Sequence, residues 1–182
     1  IENLPISIGG PILGIAAMGN LLHDFFPYSR EVCGLISALL FILVIIKLIK
    51  YPKTFKKDLN NPVLASIIAT LSMAVMLIAS FVLPYAGYIP AISLWIVAVV
   101  IHLSFVINYI IKFVLHFDIT DYTAGSFVVF AGIQMIAITA PSFNQEFYGS
   151  IAFWFSFICV ILVFIAITYR YINIPVPQHT QP

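Results

Sequence analysis

Charge is what this sequence most conspicuously lacks. Eight Lys or Arg and seven Asp or Glu make up 8% of its 182 residues, where a soluble globular domain carries about 25%. Hydrophobic residues reach 62% and mean hydropathy is +1.10. So little polar surface cannot cover a water-soluble fold of this size, so the solvent is mostly lipid. A net charge of +1, with no basic cluster beyond what membrane orientation requires, excludes a nucleic-acid partner. Cysteine is also scarce. Cys33 and Cys159 fall in apolar runs, too few for a disulfide framework or a metal cluster, and read as small packing residues. No phosphate loop, nucleophile–base pair or metal-spaced His/Cys set occurs, so no enzyme, cofactor or ATP-driven pump is expected.

What the chain has is long apolar runs. A bilayer core about 30 Å thick needs about 20 apolar helical residues. Segments 4–22, 32–50, 62–82, 88–112, 122–140 and 147–169 approach or meet that rule. Strand-like alternation is missing, which argues against a barrel. The breaks have suitable chemistry. Pro27 lies in the first, an Asn pair precedes Pro62 as cap and first helical residue, and Pro84 and Pro141 are expected to close the third and fifth runs. With the N-terminus in the cytoplasm, Lys47, Lys50, Lys53, Lys56, Lys57, Lys112 and Arg170 fall inside and only Arg30 outside. That is a strong positive-inside bias, expected for a multi-pass protein of the inner (plasma) membrane. The YPKTFKK stretch reads as a cytoplasmic loop held at an anionic leaflet. No cleavable signal pattern stands before the first apolar run, and a start at Ile1 is expected of a piece of a longer protein or of a trimmed leader. The Pro-rich close IPVPQHTQP reads as a polar linker over 171–182, so further helices are expected beyond it.

The first, third and fifth runs start near residues 4, 62 and 122, a repeat of helical hairpins rather than of residues. Gly, Pro, Ser, Thr, Asn and Gln supply 19 of 59 residues in the odd runs but 10 of 67 in the even ones. Small and hydroxyl residues mark close helix packing or water. The odd helices therefore read as an inner set, shielded from lipid by the even ones. Three stripes are candidate pore lining. Ser7, Gly10 and Gly14 share a face of the first helix, Ser66, Thr70 and Met73 a face of the third, and Gly125 and Gly132 a face of the fifth with Gln134 beside it. The same spacing also suits a small-residue packing seam, and both readings stay open. Pro11 is expected to kink or open the first helix.

LPISIGGPILGIAAMGN resembles the opening helix of the tellurite-resistance/dicarboxylate (TehA-like) transporter family, which includes slow anion channels and malate and sulfite transporters. Gly10, Pro11 and Gly14 stand in its Gly-x-Pro-x-x-Gly-like run. NPVLASIIATLSMAVM and SFVVFAGIQMIAITAP resemble its third and fifth helices. The resemblance implies ten helices, arranged as five hairpins around a pseudo-fivefold pore with odd helices inside, assembled as homotrimers. This chain would supply three of those hairpins. The family's gating phenylalanine belongs to a ninth helix absent here, and Ser7 occupies the position implied to face it.

Intramembrane ionisable residues are the default suspects in a transporter. His102, midway along the fourth run, is the one candidate for proton coupling, and no Asp or Glu lies at its depth. Asp24, Glu31, Asp118, Asp121 and Glu146 fall in or beside loops. A stripe free of fixed charge would hold an anion through hydroxyls, backbone donors and helix ends. The expected activity is passage of small inorganic or organic anions, tellurite-, dicarboxylate- or chloride-like, with no metal involved. Two other readings stay beside it, a proton-coupled malate-like carrier and a non-transporting membrane scaffold.

Overall fold

The computed structural model describes residues 4–115, 119 and 122–174. Asp118, Asp121 and residues 175–182 of the expected linker lie outside the described residues, while its first three residues, 171–173, are helical rather than linker. The described elements are helices. A single 3-10 turn, Ile6–Ile8, runs into α1 (Gly9–Leu21); α2 (Ser29–Lys50), a short α3 (Pro52–Asp58), α4 (Pro62–Ala86) and α5 (Tyr88–Tyr109) follow. A π-helical turn, Ile110–Val114, extends α5. The fifth apolar run is split into α6 (Ala124–Ala131) and α7 (Gln134–Thr139), continued by a 3-10 turn Ala140–Phe143, and α8 (Glu146–Asn173) completes the chain.

Five helical segments are long and apolar enough to cross a membrane, and the first, Ile6–Leu21, is a shorter apolar helix. This is a helical, multi-pass membrane protein. The first helix is short because Pro5 holds extended backbone (φ −69°, ψ 141°) ahead of it. Its length is roughly 24 Å at 1.5 Å per residue. Pro11 does not break it. That residue sits in the first turn of α1, where a missing N–H costs least, and the local irregularity is the 3-10 turn just before. The third helix likewise continues past Pro84 to Ala86 and ends at Gly87, whose φ of 82° favours glycine. Its start is as the Asn pair suggested, with Asn61 Oδ1 accepting from the N–H groups of Val63 and Leu64 at 3.0 and 3.1 Å and Pro62 first in the helix. YPKTFKK, expected as loop, forms most of α3, whose Phe55 packs on an apolar cluster with Ile12, Val44 and Ile68.

Consecutive helices pair as three hairpins: α1 with α2, α4 with α5, and α6–α7 with α8. The hairpins join through α4, which touches α1, α2, α6 and α7. Burial follows parity. Of the most apolar stretch, 67% is buried in the third segment and 50% in the fifth, against 28%, 28% and 17% in the second, fourth and sixth. The even helices turn Leu39, Ile42, Val100, Ile107, Phe155 and Ile158 outward, side chains suited to lipid.

One polar contact recurs in all three hairpins. Near the end of each even segment a cation reaches back to the residues that lead into its odd partner. Lys47 Nζ donates to the Leu4 carbonyl. Lys112 Nζ donates to Asn60 Oδ1 at 2.7 Å and the Leu59 carbonyl at 3.4 Å. Arg170 Nη1 donates to the Tyr122 carbonyl at 2.6 Å. The repeat sought in the sequence is thus carried by a contact rather than by residue identity. Lys47 and Arg170 are buried despite their charge. Arg170→Met should leave the Tyr122 carbonyl without this charged donor and lower stability by about 1.5–3 kcal/mol. A melting curve in detergent indistinguishable from the parent would show the clamp to be inert.

Candidate functional site

Lipid offers no hydrophobic drive between helices, so packing and hydrogen bonds hold the odd set together. Hydroxyls of the even helices bond the backbone of their partners: Ser29 Oγ to the Gly19 carbonyl and Ser37 Oγ to Ile12, each at 2.9 Å, and Ser156 Oγ to Phe130 at 2.8 Å. Trp95 Nε1 donates to Thr139 Oγ1 at 2.7 Å, and Tyr109 shares a hydrogen bond with Ser126 at 2.8 Å. Ser104 donates within its own helix, to the Val100 carbonyl at 2.8 Å.

The first helix has two glycine faces. Gly9, Ile12, Ala16 and Gly19 are buried. A Cβ on Gly9 would meet Thr70 Oγ1 at 2.7 Å, and one on Gly19 would meet Cys33 Cβ at 2.7 Å. Ser7, Gly10, Gly14 and Ala17 form the opposite, exposed face. A Cβ on Gly10 or Gly14 would meet nothing within 4 Å. Of the two faces, the sequence stripe is the open one, and the tight seam uses a different pair of glycines.

The third and fifth helices differ. Ser66, Thr70 and Met73 are buried in seams. Gly125 packs on Ser66, Thr70 on Gly9, and Gly132 on Met73 and His102. Ser66 and Thr70 spend their hydroxyl protons on the Val63 and Ile67 carbonyls at 2.7 and 2.6 Å. Ser66, Thr70, Met73 and Gly132 are buried where helices meet, and half-buried Gly125 packs on Ser66. Spacing could not distinguish the cases, because a seam between two inner helices uses the same small residues as a pore stripe. Gln134 is half-buried, at the start of α7 after the break at Gly132 and Ile133.

His102 is fully buried and does not face lipid. It reaches from α5 between the third and fifth helices, with Nδ1 2.9 Å from Ser72 Oγ, which also donates to the Ala69 carbonyl at 2.8 Å. Its other edge lies under Gly132. Trp95, Val106 and Tyr109 share its buried face. His102 is a wedge setting the spacing of two inner helices, and its hydrogen bond is to a hydroxyl rather than a carboxylate. Among the described residues no group of three or more His, Cys, Asp or Glu could hold a metal ion, and Cys33 and Cys159 are free thiols.

At the turn end of the hairpins the odd helices and the start of α2 line a polar cavity of about 140 Å³ that the sequence did not reveal. Asn20, Arg30, Leu77, Ser80, Phe81, Ile138, Thr139 and Ser142 line it. Arg30 Nε donates to Asn20 Oδ1 at 3.0 Å across the first turn. Arg30 was legible only as the lone cation of its side, because the fold brings Ser80 and Ser142 to it from far along the chain.

The molecule thus has inner odd helices, outer even helices and an open glycine face on the first helix. The family model for SLAC1, voltage-dependent anion channel, matches residues 3–182. The chain belongs to that family. The membership accords with the resemblance read in the first, third and fifth helices, and it makes anion transport this chain's family activity. Comparison with curated proteins finds no match.

Proposed function

We propose that these helices are part of the wall of a ten-helix anion pore, with the exposed Ser7–Gly10–Gly14 face of the first helix on the conduction path. The observation that carries this reading is that face: small and open, on an inner helix otherwise packed on its far side. Backbone and hydroxyl groups would hold an anion weakly enough to let it leave, which conduction requires. Gln134 is a further candidate for the lining, being half-buried at a break in the fifth helix. The permeant class is small inorganic or organic anions, with tellurite, C4-dicarboxylates and chloride as the first to test. The Lys and Arg distribution supports a cytoplasmic N-terminus in the plasma membrane, and the family resemblance supports a homotrimer. Anion currents from the full-length protein in liposomes are the expected result. Silence with every anion tried would leave a membrane scaffold as the reading.

A proton-coupled carrier would need His102 to exchange protons with the conduction path. Its place between Ser72 and Gly132 favours a structural role. His102→Gln keeps an amide for Ser72, so the pH dependence of anion flux is expected to match the parent. A pH response lost in that variant would favour the coupled carrier.

A further inference from the structure

The cavity at the turn end holds more chemistry than packing explains. Its hydroxyls are not equivalent. Ser80 Oγ donates to the Leu77 carbonyl at 2.7 Å and Thr139 Oγ1 to the Met135 carbonyl at 2.6 Å, so neither has a proton to offer a guest. Arg30 and Asn20 do. With Nε committed to Asn20 Oδ1, the guanidinium is held in one orientation and its terminal Nη groups remain as donors. The same bond fixes the Asn20 amide so that its NH₂ becomes a second donor. Ser142, exposed at the rim, is a third.

The charge is fixed as well. The nearby carboxylate, Glu31, accepts from Tyr85 Oη at 2.9 Å on the exposed side and is not among the lining residues. Among the described residues lining the cavity, Arg30 is the one ionised side chain. A volume of 140 Å³ takes a small anion with part of its hydration shell, since a water occupies about 30 Å³ in the liquid. The planar terminal fork of arginine matches two oxygens of one anion, a geometry a halide cannot use.

We infer that Arg30, oriented by Asn20, forms an anion-binding site at the mouth of the pore where the first, third and fifth helices meet, and that it favours small oxyanions such as nitrate over halides. This rests on the pore reading above and adds to it a recruiting site distinct from the glycine face.

The test uses the full-length protein and two variants. Arg30→Gln removes the charge and keeps an amide for Asn20; Arg30→Lys keeps the charge and loses the fork. In liposomes, the half-saturating nitrate concentration from the Arg30 side should rise roughly tenfold in the Gln variant, with current at saturating nitrate retained. The Lys variant should keep most of the affinity and lose the preference for nitrate over chloride. Nitrate should also raise the melting temperature of purified parent protein and not that of Arg30→Gln, a readout independent of conduction. Parent currents with unchanged nitrate dependence in Arg30→Gln would overturn the site and leave the pore. A parent that shows the nitrate-dependent melting shift but passes no current would keep the site and sink the pore.

Discussion

Gly132→Leu is expected to yield almost no folded protein. A Cβ at that position would stand 2.7 Å from His102 Nε2 and 2.9 Å from Met73 Sδ, closer than real Cβ contacts allow. Met73 has a flexible side chain and can retreat. His102 cannot, being fully buried and bonded to Ser72 on the far side of its ring. Overpacking a full core costs typically about 1–3 kcal/mol and occasionally more, and leucine adds several carbons beyond a Cβ that already does not fit. The fifth helix would have to move away from the third and fourth, breaking the hydrogen bonds of Trp95 to Thr139 and Tyr109 to Ser126 that tie it to the fourth. Gly132→Ala should cost less, and His102→Ala should relieve most of that cost when combined with it. This non-additivity is expected only of residues in contact. The measurement is monodisperse yield and melting temperature in detergent across the four proteins of that cycle. Additive effects in the double variant would show that the two residues do not meet as the structure places them.

How much of this was legible in the sequence depends on what each signal measures. Helix positions follow from apolar length and from caps, and Asn61–Pro62 marks a start unambiguously because a side-chain acceptor and a residue without N–H suit only that place. The inner and outer sets follow from composition, since small residues concentrate where helices approach each other. Which small residues face a neighbour and which face open space does not follow. Gly9 and Gly10 are adjacent in sequence and opposite in role: the first touches Thr70, the second nothing. Ser66 and Met73 sat in a stripe as regular as that of Ser7 and Gly14, yet the first two are buried between helices. Periodicity identifies a face, and only the neighbour gives it a use. The break between α6 and α7 was hidden for a related reason. Gly132 lies in an apolar run without proline, and its backbone irregularity accompanies the imidazole beneath it and the Ser156 bond to Phe130. The Arg30 cavity lay beyond local signals, because residues 20, 80 and 142 converge only through tertiary packing.

Gly14 is the position at which the pore reading is most exposed to failure. Gly14→Phe should fold as well as the parent, because among the described residues nothing beyond its own stretch of helix lies within 4 Å of the added Cβ. Replacing a mid-helix glycine even removes about 0.5–1 kcal/mol of backbone cost. If that face borders the conduction path, a phenyl ring there narrows it along several ångströms, and anion flux should fall roughly tenfold or more at an unchanged melting temperature. Gly19→Phe, about 1.4 turns further on, supplies the contrast. A Cβ there meets Cys33 Cβ at 2.7 Å and the Ser29 carbonyl oxygen at 3.0 Å, so folded protein rather than flux should be lost. The two glycines of one helix thus separate conduction from assembly. The informative adverse outcome is a Gly14→Phe protein that melts early or changes its oligomeric size. That would mean the open face is a seam for another helix or another copy, and that the path for anions runs along a different wall. A Gly14→Ala variant sharpens the distinction, since a single methyl leaves a water-filled path nearly as wide but disturbs a close helix crossing. Under the pore reading alanine keeps most of the flux and phenylalanine removes it, so that the loss tracks side-chain volume rather than stability.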